Sequence, residues 1–168
     1  MVDGRTVEAV MGDQTGLRAV TEFLEREDIP YEVVEHERKE SAAAEARAAG
    51  VPPSDFAKTV ALRDEGGIRL AVIPASERLD LHKLKEELGS RGLRLLTEQE
   101  MAEEFDDFEL GAVPPFGPML HAVELVDLRL LDHERIMCSG GDHAHGVLLD
   151  PHDLVRVTQA RVADISED

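Results

Sequence analysis

Three short segments carry residue types that could bind and hydrolyse a substrate. The first is the pair Lys58-Thr59 inside the apolar run of residues 56–62. The second is the loop from Gly111 to Gly117, and the third is the turn from Cys138 to His143, with the sequence CSGGDH. None of them contains a Gly-rich phosphate loop or a Gly-x-Ser-x-Gly elbow. The sequence therefore indicates neither nucleoside triphosphate binding nor an elbow-borne serine nucleophile.

Lys58 is the positively charged member of this set. A lysine is a flexible point charge with three donors, which suits it to hold a phosphate or a carboxylate. Because it lies within an apolar strand pattern, the alternative is a lysine that simply faces solvent from the exposed side of a strand.

The loop from Gly111 to Gly117 reads GAVPPFG. Its prolines fix φ and cannot donate hydrogen bonds, whereas its glycines allow φ values that other residues avoid. Such a segment is a stiff loop whose backbone groups point in fixed directions. It could orient a substrate, or it could be a rigid connection between two halves of a domain.

The third segment offers a hydroxyl, two glycines and an imidazole. Ser139 lacks the signature of a nucleophile, so we expect its hydroxyl, or the N–H groups of Gly140 and Gly141, to bind a ligand oxygen. His143 is predicted to be a hydrogen-bond donor or proton carrier. The lone Cys138 is more typical of a small buried residue than of a nucleophile.

A metal site is an alternative for the histidines near this turn. His143 and His145 would face one side of a strand, with Asp142 and His152 nearby. No zinc-type spacing accompanies them. We therefore predict no metal and no cofactor.

Size and charge limit the function classes. The 168 residues suit a single domain, predicted over residues 13–168 with a flexible tail at residues 1–12. No apolar run approaches a membrane span and no signal peptide is recognisable, which indicates a cytoplasmic protein without membrane partners. The net charge of −18 argues against extensive nucleic-acid contact.

Helix and strand patterns alternate along the chain. Strands are predicted at residues 31–36, 56–63, 68–73, 93–96, 120–126, 134–138 and 146–149, and residues 161–165 are either an edge strand or a tail. Helices are predicted from a cap at Thr15 to the break at Ile29-Pro30, at residues 42–49 and 81–88, from residue 98 to about 105, and from Pro151 onward. Tight hairpins between several strands favour an α+β or mixed α/β domain with helices on a mixed, largely antiparallel sheet.

Four motifs in order give the chain a family resemblance. Lys58-Thr59 after VPPSD, the segment LAVIP followed by LDL, the loop from Gly111 to Gly117, and the CSGGDH turn together resemble the YbaK/prolyl-tRNA synthetase-associated domain family. The resemblance covers about residues 15 to 165. This family comprises free-standing and synthetase-inserted aminoacyl-tRNA deacylases, and it implies a partly barrel-like mixed sheet.

The resemblance also implies roles. Lys58 would hold the phosphate side of the terminal adenosine, Gly111 and the loop behind it would orient the ester, and His143 would complete the catalytic set. The residues that would bind substrate are His36, Thr59, Pro114, Pro115, Phe116, Gly117, Ser139, Gly140 and Gly141. Some branches have asparagine where this chain has Thr59, which leaves the amino-acid preference open.

The implied function is hydrolysis of mischarged tRNA that carries a small amino acid: alanine, proline, cysteine or serine. An aminoacyl ester is already activated, so positioning and backbone donors can supply much of the catalysis. The implied partners are the acceptor end of tRNA and an aminoacyl-tRNA synthetase, and both a monomer and a homodimer remain open. The alternatives are a non-catalytic module that binds an aminoacyl-tRNA end or a synthetase, and a purely structural α+β domain.

Overall fold

Several helices begin at residues whose side chains satisfy a free N–H group of the first turn, as the sequence predicts. Ser41 and Asp80 accept hydrogen bonds from the first turns of their helices, and Thr97 forms a reciprocal capping box with Glu100. The computed structural model describes residues 14–168, so the predicted tail at residues 1–12 lies outside the described residues. Its α-helices are α1 Thr15–Arg26, α2 Ala42–Ala48, α3 Leu81–Leu88, α4 Glu98–Glu104, α5 Gly117–Leu120 and α6 Pro151–Thr158.

The strands form one mixed sheet. Across the described residues the spatial order is β1-β7-β6-β2-β3-β5-β8, with β4 paired to β2. Pairs β1–β7, β6–β7, β2–β3 and β2–β4 are antiparallel, whereas β2–β6, β3–β5 and β5–β8 are parallel. The strands are β1 Glu32–Glu35, β2 Phe56–Asp64, β3 Gly67–Pro74, β4 Arg94–Leu95, β5 Val123–Asp127, β6 Ile136–Ser139, β7 His145–Leu149 and β8 Arg161–Ala163.

Strand β2 has a split edge, and this feature positions the site. On one side it pairs with β3 along its whole length. On the other side β6 pairs only with Phe56 and Ala57, and β4 pairs only with Leu62 and Arg63. Residues 58–61 therefore lie beside a gap in the sheet, where a strand would otherwise cover them.

Helices cover both faces of the sheet. Val20 and Leu24 of α1 and Leu154 of α6 pack in one buried cluster with Val72 of β3. Leu84 of α3 packs on the opposite face, in a second cluster with residues 62, 71 and 73. This switch between residues 72 and 73 follows the two-residue period of a strand. None of the described helices has the length and apolar run needed to cross a bilayer.

The structure departs from the sequence-based predictions in three places. Gln14, not Thr15, occupies the cap position of α1. The strand predicted at residues 120–126 begins only at Val123, because a short helix with Pro118 in its first turn ends at His121 in a left-handed conformation. The strand predicted at residues 134–138 is shifted to Ile136–Ser139. The sheet itself is mixed and largely antiparallel, as predicted, with four antiparallel and three parallel pairings among the described strands.

Candidate functional site

A cavity of about 400 Å³ opens at the split edge of β2. Residues 56–61 of β2 form one wall, and Leu95 and Leu96 extend it. The start of α2 and residues 40–41 before it form a second wall, and Gly111, Val113 and Ser139 close the third side. The cavity therefore brings together Lys58, Thr59, Gly111 and Ser139, which the sequence assigns to one site.

Lys58 and Thr59 are both without a partner in this cavity. The Lys58 side chain is exposed and makes no hydrogen bond or ion pair with any other described residue. The Thr59 hydroxyl is buried and also lacks a hydrogen-bond partner in the described chain. Because buried polar groups are nearly always satisfied, a free buried hydroxyl beside an unpaired cation is well suited to contact a bound ligand.

Glu45 is a member of the site that the sequence analysis missed. It projects from α2, is only 3% exposed and lines the cavity. Its Oε2 lies 3.4 Å from Nδ1 of His143, and its Oε1 lies 3.7 Å from Nε2 of His36. Burial raises the pKa of Glu45 to about 7, although the imidazole of His143 opposes that rise. The carboxyl therefore changes charge in the neutral range.

His143 lies behind the cavity and is held at both ring nitrogens. Its Nε2 is 2.7 Å from the Leu110 carbonyl, which can only accept, so Nε2 carries a hydrogen. A hydrogen bond between Nδ1 of His143 and the carboxyl of Glu45 then requires one further proton, which can lie on either the imidazole or the carboxyl. Burial disfavours the imidazolium, but the Leu110 carbonyl and Glu45 together raise the pKa of His143 above its usual value. His143 and Glu45 thus form a pair that shares a proton.

The Gly111 loop rests against this histidine. Gly111 has a φ of +83°, and a Cβ at this position would lie 3.5 Å from Cε1 of His143. The backbone N–H of His143 donates to Oε1 of Glu109, and Glu109 is paired with Arg38 through two hydrogen bonds. These contacts fix the loop against the CSGGDH turn.

Two backbone donors at the cavity are free. The N–H groups of Gly111 and Val113 make no hydrogen bond within residues 14–168. Pro114 and Pro115, which follow, have no N–H to offer. The stiff loop therefore presents unpaired N–H groups at residues that line the cavity, as an oxyanion site requires.

Ser139 joins the loop to the turn. Its hydroxyl donates to the Ala112 carbonyl at 2.7 Å and accepts from the N–H of Gly141 at 3.0 Å. A nucleophilic serine needs a nearby base, and this hydroxyl is instead engaged with the backbone. Ser139 lines the cavity, but its contacts are those of a positioning residue.

The two glycines of the turn are required by packing. Gly141 has a φ of +100°, and a Cβ there would lie 2.7 Å from the backbone carbon of Gly16 in α1. A Cβ on Gly140 would lie 3.0 Å from the carbonyl of His145. Neither glycine lines the cavity, so the predicted contact between their N–H groups and a ligand has no support in the geometry.

Several residues predicted to bind substrate lie outside the cavity wall. Phe116 is fully buried in the core, with its ring 5.5 Å from that of Phe23. The N–H of Gly117 donates to the buried carboxyl of Glu124. Pro114 and Pro115 are buried between these residues and Val113. The second half of the loop therefore anchors the first half, and only Gly111 to Val113 reaches the site.

His36, which was predicted to bind substrate, lies next to Glu45 and does not line the cavity. It is 9% exposed and its Nδ1 contacts the Glu37 carbonyl, while its Nε2 faces Glu45 without a hydrogen bond. It therefore lies behind the cavity rather than in its wall. The fixed position of Glu45 between His36 and His143 depends on both imidazoles.

The remaining chemical candidates have other partners. Cys138 is fully buried, and burial raises the pKa of its thiol, so it is not a nucleophile at neutral pH. His145 is paired with Asp142 at 2.9 Å rather than with His143. No group of three or more His, Cys, Asp or Glu side chains in the described residues is arranged to hold a metal ion.

A separate cavity of about 370 Å³ lies between residues 104–108 and 119–121. It contains none of the predicted site residues and no unpaired lysine. The acidic run from Glu103 to Asp107 contributes to its wall, as expected of a solvated charged segment. The chemistry is concentrated at the split edge of β2.

The chain is similar to known proteins over most of its length. The family model of the aminoacyl-tRNA editing domain matches residues 36–157, which include every residue of the site. A solved structure described as a suggested trans-editing enzyme for prolyl tRNA synthetase is similar, with a TM-score of 0.81 and 29% identity over 91% of this chain and 98% of that one.

Two further solved structures have the same fold. Hypothetical protein APE2540 has a TM-score of 0.80 and 29% identity over 89% of this chain and 99% of that one. A structure from work on epitope backbone grafting onto scaffold proteins has a TM-score of 0.81 and 28% identity over 91% of this chain and 97% of that one. With a family match over most of its length and a site inside the matched region, the chain belongs to the aminoacyl-tRNA editing domain family.

Proposed function

We propose that this protein hydrolyses the ester of mischarged tRNA that carries a small amino acid, without a metal ion. The observation that carries the proposal is the cavity at the split edge of β2, which is lined by the unpaired Lys58 together with Gly111 and Val113, whose N–H groups make no hydrogen bond within residues 14–168. Family membership and the likeness to a suggested trans-editing enzyme support the same reaction class.

The substrate would lie across the cavity with its phosphate at Lys58. The ester carbonyl would then face the first half of the Gly111 loop, where the N–H groups of Gly111 and Val113 stabilise the oxyanion that develops on attack. Removal of one such donor in other hydrolases slows catalysis by about 10²–10³-fold. These donors are fixed before the substrate arrives, because Ser139 and His143 hold the loop.

Water is the nucleophile in this proposal. Its oxygen attacks the ester carbon while the Glu45–His143 pair accepts the proton, and the pair returns a proton to the ribose oxygen as the carbon–oxygen bond breaks. The products are the free amino acid and the tRNA. A carboxyl with a pKa of about 7 suits this exchange, because its two protonation states are close in free energy at neutral pH.

The cavity volume supports a small amino acid. At about 400 Å³ it lies near the lower end of the range for ligand pockets. A synthetase discriminates poorly between small apolar side chains, since one methylene is worth about 1–3 kcal/mol. A separate hydrolytic site removes the resulting errors.

A deacylation panel tests the proposal. Purified protein is mixed with tRNAs charged with alanine, serine, cysteine or proline, both matched and mismatched, at low and high salt. We expect release of one small amino acid, retained in a chelator and lost in Lys58→Ala. Lys85→Ala is the matched control, because Lys85 is also exposed and unpaired within the described chain but does not line the cavity.

Two outcomes would contradict the proposal. Release that is unaffected by Lys58→Ala would place the reaction elsewhere. Tight binding of aminoacyl-tRNA with no hydrolysis of any ester would indicate a binding module.

A further inference from the structure

A second cavity lies directly beside the first, on the other side of Lys58. It has a volume of about 360 Å³ and shares Lys58, Val60 and Leu95 with the first cavity. Its far wall comprises Arg78, Leu79 and Leu81, the first residue of α3. Lys58 therefore lies at the boundary of two adjacent spaces rather than at the end of one.

The charge of this second cavity is opposite to that of the protein. The chain has 36 acidic and 18 basic residues, excluding histidine. Yet Lys58 and Arg78 both line this cavity, and no carboxylate does. Like Lys58, the Arg78 side chain makes no ion pair or hydrogen bond with another described residue. Two unpaired cations in a cavity wall that contains no carboxylate form a place where an anion can bind.

The rest of the wall is apolar and partly exposed. Leu95 is 52% exposed and Leu81 is 38% exposed, and both belong to this cavity. Because both leucines line the same cavity as Lys58 and Arg78, they form an apolar surface next to the cations that a ligand can cover. A nucleotide has the matching combination, since its phosphate is anionic and its base has flat faces that stack on aromatic or apolar side chains.

We propose that this groove, formed by Lys58, Arg78, Leu81 and Leu95, binds the nucleotide that precedes the terminal adenosine of the RNA. The inference rests on the proposed function, which puts the phosphate of the terminal adenosine at Lys58. That phosphate joins the last nucleotide to the one before it. A lysine that holds it must lie at the boundary between the two nucleotide sites, which is where Lys58 lies.

In this arrangement Arg78 contacts the next phosphate along the chain, and the base rests against Leu81 and Leu95. The amino acid lies in the first cavity and the RNA leaves through the second. An acidic protein can thus bind the single-stranded end of tRNA through one small basic surface. No broad contact with the acceptor stem is needed.

Substrates of increasing length test the groove. We would measure kcat/KM for the aminoacyl ester of adenosine 5′-monophosphate, and for the same ester on a cytidylyl-adenosine dinucleotide that carries a 5′-phosphate, which supplies the second phosphate for Arg78. We expect the dinucleotide to react at least tenfold faster, and Arg78→Ala to remove that gain while leaving the mononucleotide ester unchanged. Leu81→Ala should remove part of it. Arg91→Ala is the control, because Arg91 is exposed and lines neither cavity.

Binding gives a readout that does not depend on hydrolysis. Fluorescence anisotropy of a trinucleotide with a non-hydrolysable 3′-aminoacyl amide should show affinity that falls with salt. Arg78→Ala should reduce the slope of log K against log salt by about 0.7, the value for one phosphate contact on a single strand.

The outcomes separate this inference from the proposed function. If no ester is hydrolysed, the proposed function fails, and the binding assay still decides the groove. Binding that depends on Arg78 supports it, whereas binding that is absent or indifferent to Arg78 overturns it. If esters are hydrolysed but the dinucleotide gains nothing, or its gain survives in Arg78→Ala, the groove is wrong and the proposed function stands.

Discussion

The cavities on the two sides of Lys58 are similar in size but opposite in charge. One has a volume of about 400 Å³ and includes the carboxyls of Glu40 and Glu45; the other, of about 360 Å³, includes Arg78 and no carboxylate. An aminoacyl-tRNA end has the same polarity, with a cationic α-amino group at one end and phosphates at the other. The comparison shows how charge alone can orient such a substrate, because each cavity repels the wrong end.

Substitution of Lys58, which lines both cavities, should have the largest effect on the reaction rate. Lys58→Ala is expected to reduce kcat/KM by about 100-fold on aminoacyl-tRNA and on the ester of adenosine 5′-monophosphate. The ester of adenosine without a phosphate should lose far less, because the lysine then has no partner to hold. The melting temperature should not change, since Lys58 makes no contact that an alanine would remove. Equal losses on both nucleoside esters would show that Lys58 acts on the ester instead of the phosphate.

Substitution of Glu45 tests the role of the first cavity, which contains the carboxyls. Glu45→Gln is expected to reduce kcat by about tenfold or more at pH 8, because glutamine cannot accept the proton of the attacking water. In the unmodified protein the rate should rise with pH up to about 7 and then level off, because burial raises the pKa of Glu45 to about 7. This rise should disappear in the variant. If the rate of the variant still rises with pH, a group other than Glu45 accepts the proton.

The same substitution has a second readout in stability. A buried carboxyl whose pKa is raised from 4.5 to about 7 holds a proton in the folded state that the unfolded state has released. The free energy of unfolding therefore decreases as pH rises from about 4.5 to about 7. The stabilisation by the protonated Glu45 carboxyl is fully present only below about 4.5. Glu45→Gln should flatten this part of the dependence. Urea unfolding at pH 4.5, 6 and 7.5 measures the difference between the two proteins.

Thr59 should have the smallest effect, confined to the amino-acid side. Thr59→Val keeps the shape and removes a buried hydroxyl that lacks a partner in the described chain. We expect hydrolysis of a serine ester to fall about threefold relative to an alanine ester, because valine cannot hydrogen-bond a substrate hydroxyl. Stability should be unchanged or slightly higher. An unchanged serine-to-alanine ratio would show that Thr59 does not contact the substrate side chain.

Local signals predicted most of the secondary structure. The caps at Ser41, Asp80 and Thr97 are present as expected, because capping depends on residues within one turn. The hairpin of β2 and β3 also forms around its predicted turn. The strand that begins at Val123 was predicted to begin at residue 120, because apolar residues 119–120 suit a short helix as well as a strand.

Site membership was only partly predictable. Lys58, Thr59, Gly111 and Ser139 stand out by residue type, and all four line one cavity. Phe116 stands out equally but lies in the core, because an aromatic residue in a stiff loop can anchor that loop as easily as it can bind a ligand. The sequence had no signal to separate these cases.

The sequence by itself determined which chemical groups are present: a lysine within an apolar strand, a stiff glycine-proline loop, and a glycine turn followed by a histidine. It also determined the order of the motifs, which marks the family. Only the tertiary structure decided that Glu45 lines the same cavity as these groups, and that Lys58 lies between two cavities, one with carboxyls and one without. The physical reason is that burial and pairing depend on residues far apart in the chain. In the alanine-rich sequence of α2, Glu45 resembles a solvent-facing helical glutamate. In the folded protein it is buried beside His36 and His143, and this burial raises its pKa to about 7.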